Sequence, residues 1–243
     1  MKLPNFICVG VQKSGTTWLY NELSKRPEIE MPKTKEIGNE KFSTGVEKIK
    51  VGIKYPFLNL EKYSSYLPQN EKITGDITPA YFYDKNCARQ IKEKVPNAFV
   101  FVILRNPIDR AFSQWRMDRN LSLIKKEYSF FNYFTNNTNY SRERGLYIDY
   151  IRYFVEELSS NFEVYFYDEL LKDPNDFLRK ILKKIKIEAN ECKTSWLEMP
   201  YSNDKQKIEA EDYEMCRRFY KKSILKLENF LKTNTNWTKN KIM

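Results

Sequence analysis

Three runs of the chain are apolar enough to be buried on every side, and each ends in a polar break. Phe6-Ile7-Cys8-Val9-Gly10 leads into Gln12-Lys13-Ser14-Gly15-Thr16-Thr17. Ala98–Leu104 stops at Arg105-Asn106-Pro107, and Phe162–Tyr167 gives way to Asp168-Glu169. Continuous β-branched and aromatic runs of this length suit strands of a parallel sheet covered on both faces. Ile73–Ile77 adds a shorter strand that turns at Pro79. Helical spacing follows the first run through Trp18, Leu19 and Leu23, and Pro27 ends it. It returns around Leu58–Leu67, over 84–94, from Pro107 to about Arg119, over Leu146–Leu158, over Asn175–Ile185 and over 207–231. Residues 28–42 and 188–206 read as loops. Residues 120–145, rich in Asn, Tyr, Phe and Ser, read as an excursion with short helical pieces. Alternating strands and helices imply right-handed parallel crossovers. The expected architecture is a three-layer α/β fold, a central parallel sheet flanked by helices, in one domain over residues 1–243.

The first break is laid out as an anion cradle. A strand fixes the loop, glycines let the backbone approach an oxyanion, and the following helix aims its unpaired N–H groups at the same point. Gly10 and Gly15 are four residues apart and Thr16-Thr17 follow. A triphosphate-binding loop would carry lysine at position 16, whereas here the lysine is inside the loop, at Lys13. The fold is therefore P-loop-like, but a kinase or triphosphatase reading lacks the group that meets the β- and γ-phosphates.

The second break carries a matching signal. Arg105 ends the strand predicted to be central, where open α/β sheets put their ligands, and Ser113 lies two turns into the next helix. An arginine fork and a hydroxyl converging there suit a phosphate monoester. Arg110 is either part of that set or a structural arginine paired with Asp76 or Asp109.

Composition narrows the chemistry. The chain has 243 residues and no histidine, which removes imidazole as base, relay or metal ligand, and no metal site suggests itself. Its four cysteines, Cys8, Cys87, Cys192 and Cys216, are scattered, without a C-x-x-C pair. A formal charge of +10 calls for anionic partners, and lysines spread along the chain make nucleic acid the weaker choice over an anionic nucleotide. No apolar run is long enough to span a bilayer and no signal-peptide layout opens the chain, so the expectation is a soluble, cytoplasmic protein with no membrane partner.

Gln12-Lys13-Ser14-Gly15-Thr16-Thr17-Trp18 resembles the 5′-phosphosulfate loop of sulfotransferases that use 3′-phosphoadenosine 5′-phosphosulfate (PAPS). Arg105-Asn106-Pro107-Ile108-Asp109-Arg110-Ala111-Phe112-Ser113 resembles the family's 3′-phosphate motif, R-x-P-x-x-R-x-x-S. The likeness is greatest to the carbohydrate- and heparan-type branch and to bacterial sulfotransferase domains. It implies that Lys13, Ser14, Gly15, Thr16 and Thr17 hold the 5′-phosphate end and that Arg105 and Ser113 hold the 3′-phosphate. Trp18 stacks on adenine or is an ordinary core tryptophan. Tyr167, in a Tyr-Asp-Glu-Leu…Asp-Pro turn, contacts adenine or simply ends a strand. Lys13 is the implied catalytic cation. Pro32-Lys33-Thr34-Lys35-Glu36-Ile37 resembles Lys-Glu-x-His-x-Phe, which implies Glu36 as general base, with Asp76 as second choice.

Two positions depart from the pattern. Gly38 replaces the branch's histidine, and Ile77 stands where a lysine often precedes Thr-Pro-Ala-Tyr. No late 3′-phosphate loop is legible, although Lys205 and Lys207 occupy its region. The implied activity is transfer of a sulfonate from PAPS to a hydroxyl or amine of a small-molecule or glycan acceptor, leaving adenosine 3′,5′-bisphosphate. Tyr128, Phe130, Phe131, Tyr133, Phe134 and Tyr140 in the excursion are candidates for an acceptor cleft. The alternative is a catalytically silent α/β module that binds a nucleotide or nucleic acid. Acceptor identity and oligomeric state are not written in the sequence.

Overall fold

The computed structural model describes residues 1–37, 59–188, 194 and 206–239. In chain order the elements are β1 (Phe6–Gly10), α1 (Thr16–Ser24), α2 (Leu60–Ser65), β2 (Gly75–Ile77), α3 (Lys85–Lys94), β3 (Phe99–Leu104) and α4 (Pro107–Asn120). Then follow α5 (Phe130–Thr135), α6 (Ile148–Leu158), β4 (Phe162–Phe166), α7 (Tyr167–Lys172), α8 (Pro174–Lys184) and α9 (Ala210–Leu231). The chain divides into two compact units, Met1–Arg105 with Tyr153–Leu197, and Asn106–Arg152 with Glu198–Met243. Among the described residues no helix is long and apolar enough to cross a membrane.

The first unit holds a four-stranded parallel sheet in the order β2-β1-β3-β4, flanked by helices as the alternating pattern predicts. β1 and β3 are central and buried along almost their whole length. Phe6, Cys8, Phe101, Ile103 and Tyr165 share one face and pack with Leu19 and Leu23 of α1 and Phe177, Leu178, Ile181 and Leu182 of α8. The alternate residues Ile7, Val9, Val100 and Val102 are buried on the other face. β1 is followed on one side by β2 and on the other by β3, so strand order reverses between them, and that is where a doubly wound sheet opens a crevice.

β4 differs from its expected place. It is an edge strand in which only Phe162 and Tyr165 are buried, and Glu163 makes an ion pair with Lys184 of α8. Tyr167 does not end this strand but opens α7, where Asp168 and Glu169 favour a helix N-terminus.

The second unit turns the expected excursion into a packed helical body. Phe130, Tyr133 and Phe134 are buried, Phe134 packs on Phe219 and Tyr220 of α9, and Gly145 lies against the Tyr220 ring. Three of the six aromatics expected to line a cleft are thus core, while Phe131 and Tyr140 are exposed. Arg110 is fully buried and donates to Gln114 Oε1 at 2.7 Å and to the Ser141 carbonyl. Asp118 accepts from Tyr133 at 2.5 Å and from Asn139 at 2.7 Å. Arg110 therefore has the structural role that its sequence left as one of two.

Asp76 is the buried polar hub of the first unit. Its carboxylate accepts from Thr78 Oγ1 at 2.7 Å and from the Tyr63 and Tyr81 hydroxyls, each at 2.9 Å. Burial raises its pKa from 3.8 to about 6 against the pull of those three donors, and the Glu36 charge adds to the rise. Because the folded pKa is the higher one, the folded protein holds a proton that the unfolded chain has lost between these two values. Asp76 then disfavours folding as pH rises through this window, by roughly 3 kcal/mol once fully ionised. Denaturant unfolding of wild type and Asp76→Asn from about pH 3 to about pH 8 should show wild type losing roughly 3 kcal/mol relative to the variant. Parallel stability curves would remove Asp76 as the titrating group.

Candidate functional site

The loop after β1 is built to expose backbone donors. Gly10 has φ +154°, and a Cβ there would meet Phe82 Cβ and the Pro79 carbonyl at 3.0 Å. Lys13 and Gly15 follow in the left-handed region, at φ +72° and +81°. Alternating handedness of this kind turns successive N–H groups toward one concavity. Gly15 is the N-cap of α1 and offers no side-chain oxygen, so the helix's first N–H groups are left for another acceptor. A Cβ on Gly15 would also stand 2.6 Å from Leu170 and 3.1 Å from the Tyr167 ring. The Ser14 hydroxyl oxygen is buried without a hydrogen-bond partner among the described residues. An orphaned hydroxyl beside uncapped helix N–H groups fits an oxyanion and has no other evident use. Thr16 is buried and Thr17 exposed at the helix start.

The ends of β1 and β3 are joined directly. Val11 N–H donates to the Ile103 carbonyl at 3.0 Å, and the Arg105 guanidinium donates to the Lys13 carbonyl at 2.8 Å. The same guanidinium lies 4.6 Å from the centre of the Tyr167 ring. Lys13, Gly15, Arg105 and Tyr167 are thus one cluster, drawn from three separate stretches of sequence. Trp18 is buried in the core, edge-on to Phe177 with ring centres 6.2 Å apart. Ser113 is half-buried on α4, in the second unit.

Glu36 lies in the irregular segment after the bridge between Ile29 and Ile73, which extends the sheet beside β2. The segment is tied to α1 by the Tyr20 hydroxyl, which donates to the Pro32 carbonyl at 2.5 Å. Glu36 has φ +69° and a side chain 30% exposed, with Lys35 Nζ 3.3 Å from its Oε1. Asp76, by contrast, is fully buried and already accepts three hydroxyl hydrogens. It lacks the access that a base for an outside acceptor needs. Gly38 and Lys205 lie outside the described residues, and Lys207 is exposed. Two features escaped the sequence reading. The Tyr167 ring braces Gly15, and Lys35 pairs with Glu36, a contact that adjacent opposite charges already hinted at.

The sulfotransferase domain family matches residues 3–207. The membrane-associated sulfotransferase kil1 of Dictyostelium discoideum is 34% identical over 136 residues, covering 53% of this chain and 26% of that protein. The bifunctional heparan sulfate N-deacetylase/N-sulfotransferase 4 of Mus musculus is 31% identical over 124 residues, covering 49% of this chain and 13% of that one. The chain thus spans a small part of the curated relatives it matches. A solved sulfotransferase from Alicyclobacillus acidocaldarius has the same fold, with a TM-score of 0.79 at 22% identity over 98% of this chain and 99% of that one. With its phosphate-loop cradle and a family match over most of its length, this chain belongs to the sulfotransferase domain family.

Proposed function

We propose that the protein transfers a sulfonate from PAPS to a hydroxyl or amine of a small-molecule or glycan acceptor. The observation that carries this reading is the cradle itself. An unpartnered buried Ser14 hydroxyl, uncapped α1 N–H groups and the Arg105 guanidinium converge around Lys13. Two phosphate-sized anions on one nucleotide suit that density of donors and positive charge. The heparan sulfate enzymes among the relatives support a glycan acceptor. When bound, PAPS supplies a sulfonate activated by its anhydride bond to phosphate.

The chain's own residues then divide the work. Backbone N–H groups of Ser14–Thr17, with the hydroxyls of Ser14, Thr16 and Thr17, hold the 5′-phosphate. Lys13 neutralises the phosphate oxygen from which the sulfonate departs, a preorganised charge of the kind that dominates such transfers. Arg105 and Ser113 hold the 3′-phosphate, the role of Ser113 resting on the sequence motif. Tyr167 keeps Arg105 and Gly15 in register and offers a ring edge to adenine, while Trp18 backs the loop from the core. Glu36 takes the acceptor's proton on a carboxylate oxygen. We assign all of residues 1–243 to one working domain, with Tyr128, Phe131 and Tyr140 of the excursion on the acceptor side, and place the protein in the cytoplasm.

Metal-free titration should give tight binding of adenosine 3′,5′-bisphosphate and much weaker binding of ATP with magnesium. Arg105→Ala should weaken the bisphosphate about tenfold or more, as loss of a charge-assisted contact does. A preference for ATP, or an Arg105→Ala affinity like that of wild type, defeats the cofactor assignment. Mass spectrometry after incubation with PAPS and an acceptor panel should find products heavier by one SO3. Glu36→Gln should keep bisphosphate affinity while losing about a hundredfold or more in turnover. Near-normal turnover would remove Glu36 as base.

A further inference from the structure

The turn after β2 stands directly against the start of the phosphate loop. Residues Pro79–Tyr83 form a short 3₁₀ helix, and its Pro79 carbonyl and Phe82 Cβ lie 3.0 Å from where a Cβ on Gly10 would be. Thr78 N–H donates to the Cys8 carbonyl at 3.1 Å, so the backbone also laces the turn to β1. On the β3 side of the same strand end, Val11 N–H is held by the Ile103 carbonyl at 3.0 Å. The loop that carries Lys13 therefore leaves β1 gripped between β3 and this turn.

A 3₁₀ turn of five residues holds its place poorly by itself, because its hydrogen bonds are few and badly aligned. Its anchors are side chains. Phe82 is buried and stacks on Phe154 of α6, with ring centres 5.7 Å apart. Thr78 stands at the cap position, yet its hydroxyl caps nothing and donates instead to Asp76 Oδ1 at 2.7 Å. Tyr81, in the middle of the turn, donates to Asp76 Oδ2 at 2.9 Å. Two of the three hydroxyls on this carboxylate thus belong to the turn, and the third, Tyr63, comes from α2. Asp76 itself is opposite Ile7 in the β1–β2 ladder, so the sheet fixes its position. Among the described residues no lysine or arginine pairs with it, and burial raises its pKa to about 6. A buried carboxylate of this kind costs folding energy at neutral pH, and what it adds is a defined geometry.

Resting on the cofactor reading above, we propose that Asp76 is a positioning residue for the phosphate loop: through Thr78 and Tyr81 it pins the Pro79–Tyr83 turn against Gly10 and so sets where the loop begins. The carboxylate touches neither nucleotide nor acceptor. It acts on the site through the turn alone.

The three hydroxyls provide the test, because each variant removes one bond to the same carboxylate. Tyr63→Phe, Tyr81→Phe and Thr78→Val should lower the denaturation midpoint by similar amounts. Only the two turn variants should also loosen the loop. Amide exchange at Val11 should quicken about tenfold more in them than in Tyr63→Phe, and their affinity for adenosine 3′,5′-bisphosphate should fall about tenfold. Tyr63→Phe should bind the bisphosphate within about twofold of wild type. Thr78→Ser, which keeps the hydroxyl, should restore both readouts. Equal effects in all three variants, or no effect in the turn variants, overturn the positioning role, and so does a Thr78→Ser protein no better than Thr78→Val. The exchange measurement needs no ligand. If wild type binds no bisphosphate while exchange follows the stated pattern, the cofactor reading fails and the positioning of the loop stands.

Discussion

The hydrogen bond from Arg105 to the Lys13 carbonyl is the contact on which the site depends. It ties the residue that ends β3 to the loop that leaves β1, across the place where strand order reverses. Tyr167 completes the arrangement by packing against the guanidinium and against Gly15. Two strand ends, a glycine and an aromatic ring thereby define one concavity lined with donors. The rest of the first unit, from the α1 and α8 core to the Asp76 hub, keeps those strand ends in register.

Buried polar groups in this protein separate into two kinds. Asp76, Arg110 and Asp118 are each met by partners of the protein's own, so their burial specifies packing. The Ser14 hydroxyl is buried with no such partner, and the α1 N-terminus beside it has no cap. Other buried atoms, Thr74 Oγ1 and Ser141 Oγ among them, also lack a partner, but the Ser14 hydroxyl stands at an uncapped helix N-terminus, where one anion from outside would satisfy both. The contrast also separates the two candidate carboxylates. Asp76 is buried and serves structure, while Glu36 is partly exposed and paired with Lys35.

The second unit reassigns residues that composition alone places in a cleft. Phe130, Tyr133 and Phe134 build a core with α9, because a six-residue helix cannot bury its apolar side without a partner. Arg110 follows the same logic. It matches the phosphate motif by spacing, yet its guanidinium lies wholly inside, bonded to Gln114 and the Ser141 carbonyl. Spacing in sequence cannot distinguish an arginine that faces a ligand from one that faces a loop thirty residues on.

By itself the sequence determined whatever depends on neighbours along the chain. The apolar runs of β1 and β3 must be buried strands, Pro107 must start a helix, and Gly10 and Gly15 around Lys13 must form a phosphate-type loop. Each of these is a matter of local sterics and burial. Tertiary structure alone decided which distant groups share a space. It put Arg105 on the Lys13 carbonyl and Tyr167 against that guanidinium, buried Asp76 beyond reach, and made β4 an edge whose Glu163 pairs with Lys184. The reason is that partner choice across the sheet follows from strand order and helix packing. Residues ninety positions apart carry no mark of that order in their own identities.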